Sequence, residues 1–214
     1  MQERHLSAFD RLLGGIDSAL RTFASGSSAA SRPNPASGVK ENPLSRREVA
    51  HSAALMRVNH AGEIAAQGLY QGHAAVARDR DIEQQMSAAA VEELDHLGWC
   101  SERLAELGSR PSWLSPFWYA GAFAIGAASG VLGDRWSLGF IAETERQVSE
   151  HLGGHLEKLP KKDARSRAIV RQMRTEEEHH GTNAQRAGAA ALPHPVRRLM
   201  QFGARIMTRT AYWI

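Results

Sequence analysis

The sequence is poor in cysteine: among 214 residues only Cys100 carries a thiol. An intramolecular disulfide is therefore excluded, and so is a zinc or iron–sulfur site built from several thiolates. A reducing compartment is natural for such a chain. Alternation of apolar and polar residues over a useful strand length is also missing, which argues against a β fold.

Several binding motifs are missing as well. The net charge is only +3, and none of the standard nucleic-acid-binding motifs occurs, so nucleic acid is not an expected partner. No Gly-x-Gly-x-x-Gly follows a strand, so no nucleotide cofactor site is predicted by motif, and no flavin is indicated. The N-terminus lacks the basic-then-apolar pattern of a secretion signal.

The patterns that are present are helical. With 43% hydrophobic residues the chain can bury a substantial core. Residues 1–45 combine an amphipathic helix at 5–24 with a Ser-, Gly- and Pro-rich stretch typical of a flexible linker. Residues 46–214 form the main domain, with four long helical patterns at about 46–78, 81–108, 135–159 and 163–190. The predicted fold class is all-α.

Two further segments are candidates for contact with a membrane. Residues 112–133 contain no charge; Pro116 and many small residues favour a buried or interface-dipping helix over a true transmembrane span. Small residues at Ala122, Gly126 and Gly130 would let a lipid tail or another helix approach closely. The C-terminal helix 196–214 is basic, with four arginines and no acid, and suits either an anionic membrane surface or docking on the bundle.

The motif Glu-x-x-His occurs twice, in "VEELDHL" (91–97) and "RTEEEHHGTNA" (174–184). Residues three apart on a helix point the same way. The apolar phase of each helix selects Glu93 with His96 and Glu177 with His180 as the inward pairs. Glu176 with His179 remains a rival register.

Each pair is preceded by one glutamate in phase with its own apolar stripe, Glu63 in the first helix and Glu145 in the third; Glu143 points elsewhere. Glu63 to Glu93 is 30 residues and Glu145 to Glu177 is 32, so the arrangement repeats. Four buried carboxylates would be costly without cations. Four Glu and two His are the ligand set of ferritin-like di-iron or di-manganese proteins, so we expect an antiparallel four-helix bundle of two pseudo-twofold pairs.

The sequence resembles the demethoxyubiquinone hydroxylases of ubiquinone biosynthesis. The resemblance rests on "RVNHAGEIAAQGLYQG" (57–72), "EELDHL" (92–97), "RPSWLSPFW" (110–118), "AETERQVSEHL" (142–152) and "MRTEEEHHGTNA" (173–184). It implies two irons per chain and bridging roles for Glu93 and Glu177. The ligands that it implies are Glu63, Glu93, His96, Glu145, Glu177 and His180.

The resemblance also implies the chemistry. The ring of a polyprenylated 3-methyl-6-methoxy-1,4-benzoquinol would be hydroxylated with O₂, with NADH as the external reductant. The enzyme would sit peripherally on the cytoplasmic face of the bacterial inner membrane, possible partners being a ubiquinone-biosynthesis complex or a lipid-binding accessory protein.

Residues near the ligands carry weaker predictions. His60, one turn before Glu63, would support a ligand or take an ordinary capping or surface role, and His151 would lie near the substrate ring. Asp95 would orient a ligand histidine or remain solvated, and Cys100 would be a small core residue.

Three other functions stay open on the residues alone. They are a ferritin-like ferroxidase or peroxidase, a quinol oxidase that reduces O₂ fully to water, and a non-enzymatic lipid- or quinone-binding bundle. Iron content would separate the first two from the third.

Overall fold

The computed structural model describes residues 30–77 and 79–214, together with Ala19, Thr22 and Phe23. Within these residues there are six helices and no strand, which confirms the all-α prediction. The helices are α1 Arg46–Val76, α2 Arg80–Glu106, α3 Ser115–Val131, α4 Asp134–Lys158, α5 Ala164–Arg186 and α6 His194–Trp213. Apart from the three residues just named, the amphipathic helix predicted at 5–24 lies outside the described part of the chain.

Two of the described helices, α1 and α5, begin at side-chain caps. Ser45 and Glu48 form a capping box at the start of α1, in which each side chain bonds the other residue's backbone amide. The Asp163 carboxylate accepts a hydrogen bond from the Ser166 amide at the start of α5. Short connections at 77–79 and 159–163 fold α1 back onto α2 and α4 back onto α5, producing two helix pairs of a bundle.

The core of the bundle is divided into two apolar clusters. One contains Met56, Trp99, Leu152 and Met173, and the other contains Tyr70, Met86, Ile141 and Ala184. Each of the four helices α1, α2, α4 and α5 contributes one of these residues to each cluster. On every one of these helices, a glutamate lies between the two contributed residues in the sequence. The polar centre described below is therefore enclosed by apolar side chains on both sides.

The uncharged helix α3 packs directly on the backbone of α1. A Cβ atom added at Gly126 would lie within 3.0 Å of the Leu69 carbonyl oxygen, and Gly68 and Gly72 face the carbonyls of Tyr119 and Phe123 in the same way. The small residues thus serve helix packing at this contact. Phe117, Ile125 and other large side chains on the far face of α3 are exposed. None of the described helices has both the length and the apolar character needed to cross a membrane.

The basic helix α6 docks on the bundle through its last turn. Ala211 is fully buried against Val58 and Ala61 of α1. Arg57 donates a hydrogen bond to the Tyr212 carbonyl at 2.9 Å, and the Tyr212 hydroxyl lies 2.8 Å from His51 Nδ1. The large apolar side chains that remain exposed on α6 are Leu199, Phe202, Ile206 and Trp213. The last turn of α6 is therefore docked on α1, whereas much of its apolar face is exposed.

Residues 30–45 lie against the bundle, whereas the composition of this stretch predicted a flexible linker. Ala36 is 1% exposed and belongs to the first apolar cluster. Asn34 donates to Glu102 on α2, and Glu41 accepts from Arg103 on the same helix. We call residues 30–45 the strap. The strap is held by contacts with both α2 and α5.

Candidate metal centre

The six inward residues predicted from helical phase come together in the middle of the bundle. Glu63 on α1, Glu93 and His96 on α2, Glu145 on α4, and Glu177 on α5 are at most 2% exposed, and His180 on α5 is 7% exposed. They form two groups of possible metal ligands, and within each group the ligand atoms lie within 4.8 Å of one another. Glu93 and Glu177 belong to both groups.

The first group contains Glu63, Glu93, His96 and Glu177. His96 turns Nδ1 toward the three carboxylates, at 3.1 Å from Glu177 Oε1, 3.2 Å from Glu93 Oε2 and 3.6 Å from Glu63 Oε2. One imidazole nitrogen and three carboxylate oxygens thus surround a common point, which is a donor set that suits iron better than calcium or magnesium.

The second group repeats this arrangement with Glu93, Glu145, Glu177 and His180. His180 Nδ1 lies 3.2 Å from Glu93 Oε1 and 3.8 Å from Glu177 Oε2. The Tyr70 hydroxyl donates a hydrogen bond of 2.5 Å to Glu145 Oε1. Because two carboxylates are shared, each half contributes one further glutamate and one histidine of its own.

A second layer of carboxylates holds the outer nitrogen of each histidine. His96 Nε2 lies 2.6 Å from Glu176 Oε2, and His180 Nε2 lies 2.9 Å from Glu92 Oε2. Carboxylate–histidine pairs of this kind orient a histidine ligand and raise its basicity. Glu92 and Glu176 each precede a shared glutamate, so each helix supports the histidine of the other. A surface groove of about 520 Å³ runs past both outer carboxylates.

The electrostatics of the centre are those of anions crowded together. Burial, with repulsion from Glu93, raises the pKa of Glu63 well above its usual value and that of Glu177 to about 7. Burial and the charge on Glu177 likewise raise the pKa of Glu145. Burial opposes protonation of His180, but its contacts with Glu93 outweigh that and raise its pKa to about 9. Bound cations would offset the repulsion between these buried carboxylates.

Unpartnered polar atoms give a second reason to expect a pair of cations at this centre. Three inward-facing atoms, Glu93 Oε1, Glu177 Oε1 and His180 Nδ1, are buried and make no well-directed hydrogen bond within the described part of the chain. Buried polar atoms are normally bonded, and those left over need an explanation such as an ion. All three point into the space that the two groups enclose.

The other residues singled out in the sequence lie around this centre. Glu143 is bonded to Arg146 and Gln147 outside it, as the helical phase predicted. Cys100 is fully buried, with its sulfur 3.7 Å from that of Met173, which confirms the predicted core role. Asp95 does not contact a ligand histidine: its carboxylate accepts hydrogen bonds from Ser31 and Arg32 of the strap.

A histidine-rich region lies at one end of the centre. The His151 and His155 rings on α4 meet edge to face with their centres 3.9 Å apart, and His155 Nδ1 lies 2.7 Å from Asn59 Oδ1 on α1. His60, the next residue on α1, is 5% exposed. His60 Nδ1 and His151 Nε2 are buried and find no hydrogen-bond partner among the described residues. Burial lowers the pKa of both imidazoles to about 4, which keeps them neutral at neutral pH.

Comparison with known proteins finds relatives whose similarity covers the residues of this centre. The sequence model of the family described as "Ubiquinone biosynthesis protein COQ7" matches residues 50–211, which include all six inward residues. A "3-demethoxyubiquinol 3-hydroxylase" of Nitrosococcus oceani is 50% identical over the full length of both chains. Proteins with the same name from Cupriavidus necator and Nitrosomonas eutropha are 56% and 52% identical. Each of these two matches covers 96% of this chain, and they cover 100% and 98% of the relatives.

These matches extend over nearly the whole chain and agree with the site that the helices assemble. The chain belongs to the COQ7 family of ubiquinone biosynthesis proteins.

Proposed function

We propose that this chain is a 3-demethoxyubiquinol 3-hydroxylase. It hydroxylates the ring of a polyprenylated 3-methyl-6-methoxy-1,4-benzoquinol with O₂ at a di-iron centre. The observation that carries the proposal is the pair of buried ligand groups that share Glu93 and Glu177, in a chain whose relatives bear this enzyme name over nearly their full length.

The ligand roles follow the two halves of the centre. Glu63 and His96 would hold one iron and Glu145 and His180 the other, and Glu93 and Glu177, which belong to both groups, would be ligands that the two irons share. When bound, the irons activate O₂, so that one oxygen atom enters the ring and the other leaves as water with two electrons from an external reductant, NADH. The protein contributes four carboxylates, whose negative field favours oxidised iron, and apolar walls that exclude bulk water.

The substrate ring is assigned to the histidine-rich region beside the centre. His60 and His151 each present an unpartnered, buried nitrogen, and a neutral imidazole can either donate a hydrogen bond to a quinol oxygen or accept one from it. His60 is one turn from Glu63, and His151 is six residues after Glu145 on the same helix. Both are therefore positioning candidates for the ring, rather than metal ligands.

The isoprenoid tail requires contact with a lipid phase. The outer face of α3 exposes Phe117, Ile125 and Val131, and α6 exposes Leu199 and Phe202. Three arginines on α6, at 198, 205 and 209, are also exposed. A combined apolar and basic surface of this kind suits an anionic membrane. We place the enzyme peripherally on the cytoplasmic face of the bacterial inner membrane, where a lipid-binding partner or a ubiquinone-biosynthesis complex would approach the same surface.

Product analysis tests the proposal. The full chain is reconstituted with ferrous iron without oxygen, then given NADH, O₂ and a short-tailed demethoxyubiquinone, and the product is read by mass spectrometry. We expect two bound irons and a product heavier by one oxygen atom. Glu177→Ala should abolish this product, whereas Glu178→Ala, at the next position on α5 and 55% exposed in its side chain, should retain it.

Other results separate the alternative functions. Two bound irons with O₂ consumed but no oxygenated product would point to a quinol oxidase or a ferroxidase. A folded chain that binds no iron would overturn the metal centre and leave a lipid-binding bundle.

A further inference from the structure

The strap reaches the metal centre at a single side chain, Arg32. Its two terminal nitrogens donate to both carboxylate oxygens of Glu176, at 2.7 and 3.0 Å. Its Nε donates to Asp95 on α2. Glu176 is the carboxylate that holds the outer nitrogen of His96. A continuous series of charge-assisted contacts therefore links His96, Glu176, Arg32 and Asp95, and such two-point guanidinium contacts fix geometry as well as charge.

The position of Arg32 is itself fixed by several contacts. Asp95 Oδ1 accepts hydrogen bonds from the backbone amides of Ser31 and Arg32, at 2.6 and 3.2 Å. The guanidinium lies 5.0 Å from the ring centre of Trp99, and the Trp99 ring lies 5.4 Å from that of His96. Arg32 is thus held by a backbone anchor, an aromatic face and two carboxylates.

The two halves of the centre differ at this point. Glu176, which supports His96, has a side chain 14% exposed and is bonded by Arg32. Glu92, which supports His180, has a side chain 48% exposed and receives no guanidinium contact from the described residues. The ligand sets of the two halves match in residue type. Besides the Tyr70 hydroxyl on Glu145, the halves differ in how firmly their outer carboxylates are held.

We propose that Arg32 is a positioning residue for the His96 half of the centre: by fixing Glu176 it orients His96, so that this half holds its iron more firmly than the His180 half does. The inference rests on the proposed function, since it takes the six inward residues as metal ligands. Arg32 lies outside residues 50–211, which the family model matches. The strap therefore adds a support for the centre from outside the matched domain.

The test measures iron release rather than turnover. The full chain is loaded with ferrous iron under argon and mixed with a strong ferrous chelator, and release is followed by absorbance. We expect two phases in the wild-type protein. In Arg32→Gln the slower phase should accelerate by up to about 10-fold, because losing the direct outer partner of a metal ligand costs about 10–100-fold and Arg32 acts through that partner, Glu176. The faster phase should not change. Arg32→Lys should rescue only partly, because an ammonium cannot make the two-point contact.

Three variants separate positioning from general stabilisation. Arg174→Gln removes an exposed arginine that pairs with Glu178 on α5, and it should leave both phases unchanged. Asn34→Ala removes the strap contact with Glu102 away from the centre, and it should also leave them unchanged. Glu92→Gln removes the negative charge from the outer partner of His180, and it should accelerate the faster phase alone.

The outcomes are distinct. Acceleration of one phase by Arg32→Gln, and of the other by Glu92→Gln, supports the inference. Two irons bound with release unchanged in Arg32→Gln would overturn it and leave the proposed function intact. Equal acceleration in Arg32→Gln and Asn34→Ala would also overturn it, since the strap would then act only through the fold. A wild-type chain that binds no iron would remove the proposed function itself.

Discussion

Replacing Gly126 with alanine tests the contact that docks the apolar helix on the bundle. The added methyl would lie within 3.0 Å of the Leu69 carbonyl oxygen and 3.1 Å from the His73 amide nitrogen. Both are backbone atoms of α1, so α3 must move away as a unit. Overpacking of this kind costs about 1–3 kcal/mol, and the lost contact between the two helices adds to it.

Gly121→Ala on the same helix is the matched control, because no atom lies within 4 Å of a Cβ built at this exposed glycine. There alanine should raise the free energy of unfolding by about 0.5–1 kcal/mol through helix propensity. Because both substitutions gain the same helix propensity, urea unfolding should separate the two full-length variants by the overpacking cost alone, roughly 1–3 kcal/mol. Equal stability of the two variants would refute the backbone contact between α1 and α3.

Two further predictions concern buried ionisable side chains. Burial lowers the pKa of His73 to about 4, so the folded protein holds it neutral while the unfolded chain takes up a proton below about pH 6.5. The contribution of neutral His73 to the free energy of unfolding is present above that pH and is lost as the pH falls toward 4, by about 1.4 kcal/mol per pH unit. In urea titrations, the stability of wild type relative to His73→Gln should therefore fall over this range. A stability difference that is constant with pH would contradict this. Arg103→Leu leaves the fully buried Asp163 carboxylate without its guanidinium partner and should lower the free energy of unfolding by about 3–5 kcal/mol. Arg165→Leu, a more exposed pair with Glu106, should cost about 1 kcal/mol or less, so equal losses would show that burial does not decide the cost.

The inward residues could be read from the sequence because helical phase is local. A glutamate that shares the apolar stripe of its helix must face the core, and this alone separated Glu93 from Glu92 and Glu145 from Glu143. The structure places the chosen residues together and Glu143 apart. Their role as iron ligands stays a prediction until metal is measured.

The outer support of the centre could not be read in the same way. Glu92 and Glu176 act on histidines of a facing helix, and that pairing depends on how α2 and α5 sit side by side. The repeated Glu-Glu before each histidine was a signal, but phase alone assigns these outer glutamates to the surface. Asp95 shows the same limit, since its partners belong to the strap, more than sixty residues earlier in the chain.

The docking of the strap could not be predicted from its composition. Serine, glycine and proline are typical of linkers, and nothing local distinguishes a segment that docks from one that does not. Ala36 is buried and Arg32 spans two carboxylates only because α2 and α5 present a matching surface. Order in such a segment is a property of the whole fold.

The most direct test of the central claim follows the oxygen atoms. The iron-loaded chain is given NADH, a short-tailed demethoxyubiquinone and isotopically heavy O₂, and the quinol product is analysed by mass. We predict one heavy oxygen atom in each product molecule, and no such product from Glu177→Ala. Unlabelled or unmodified quinol from a chain that holds two irons and consumes O₂ would contradict the assignment as a hydroxylase.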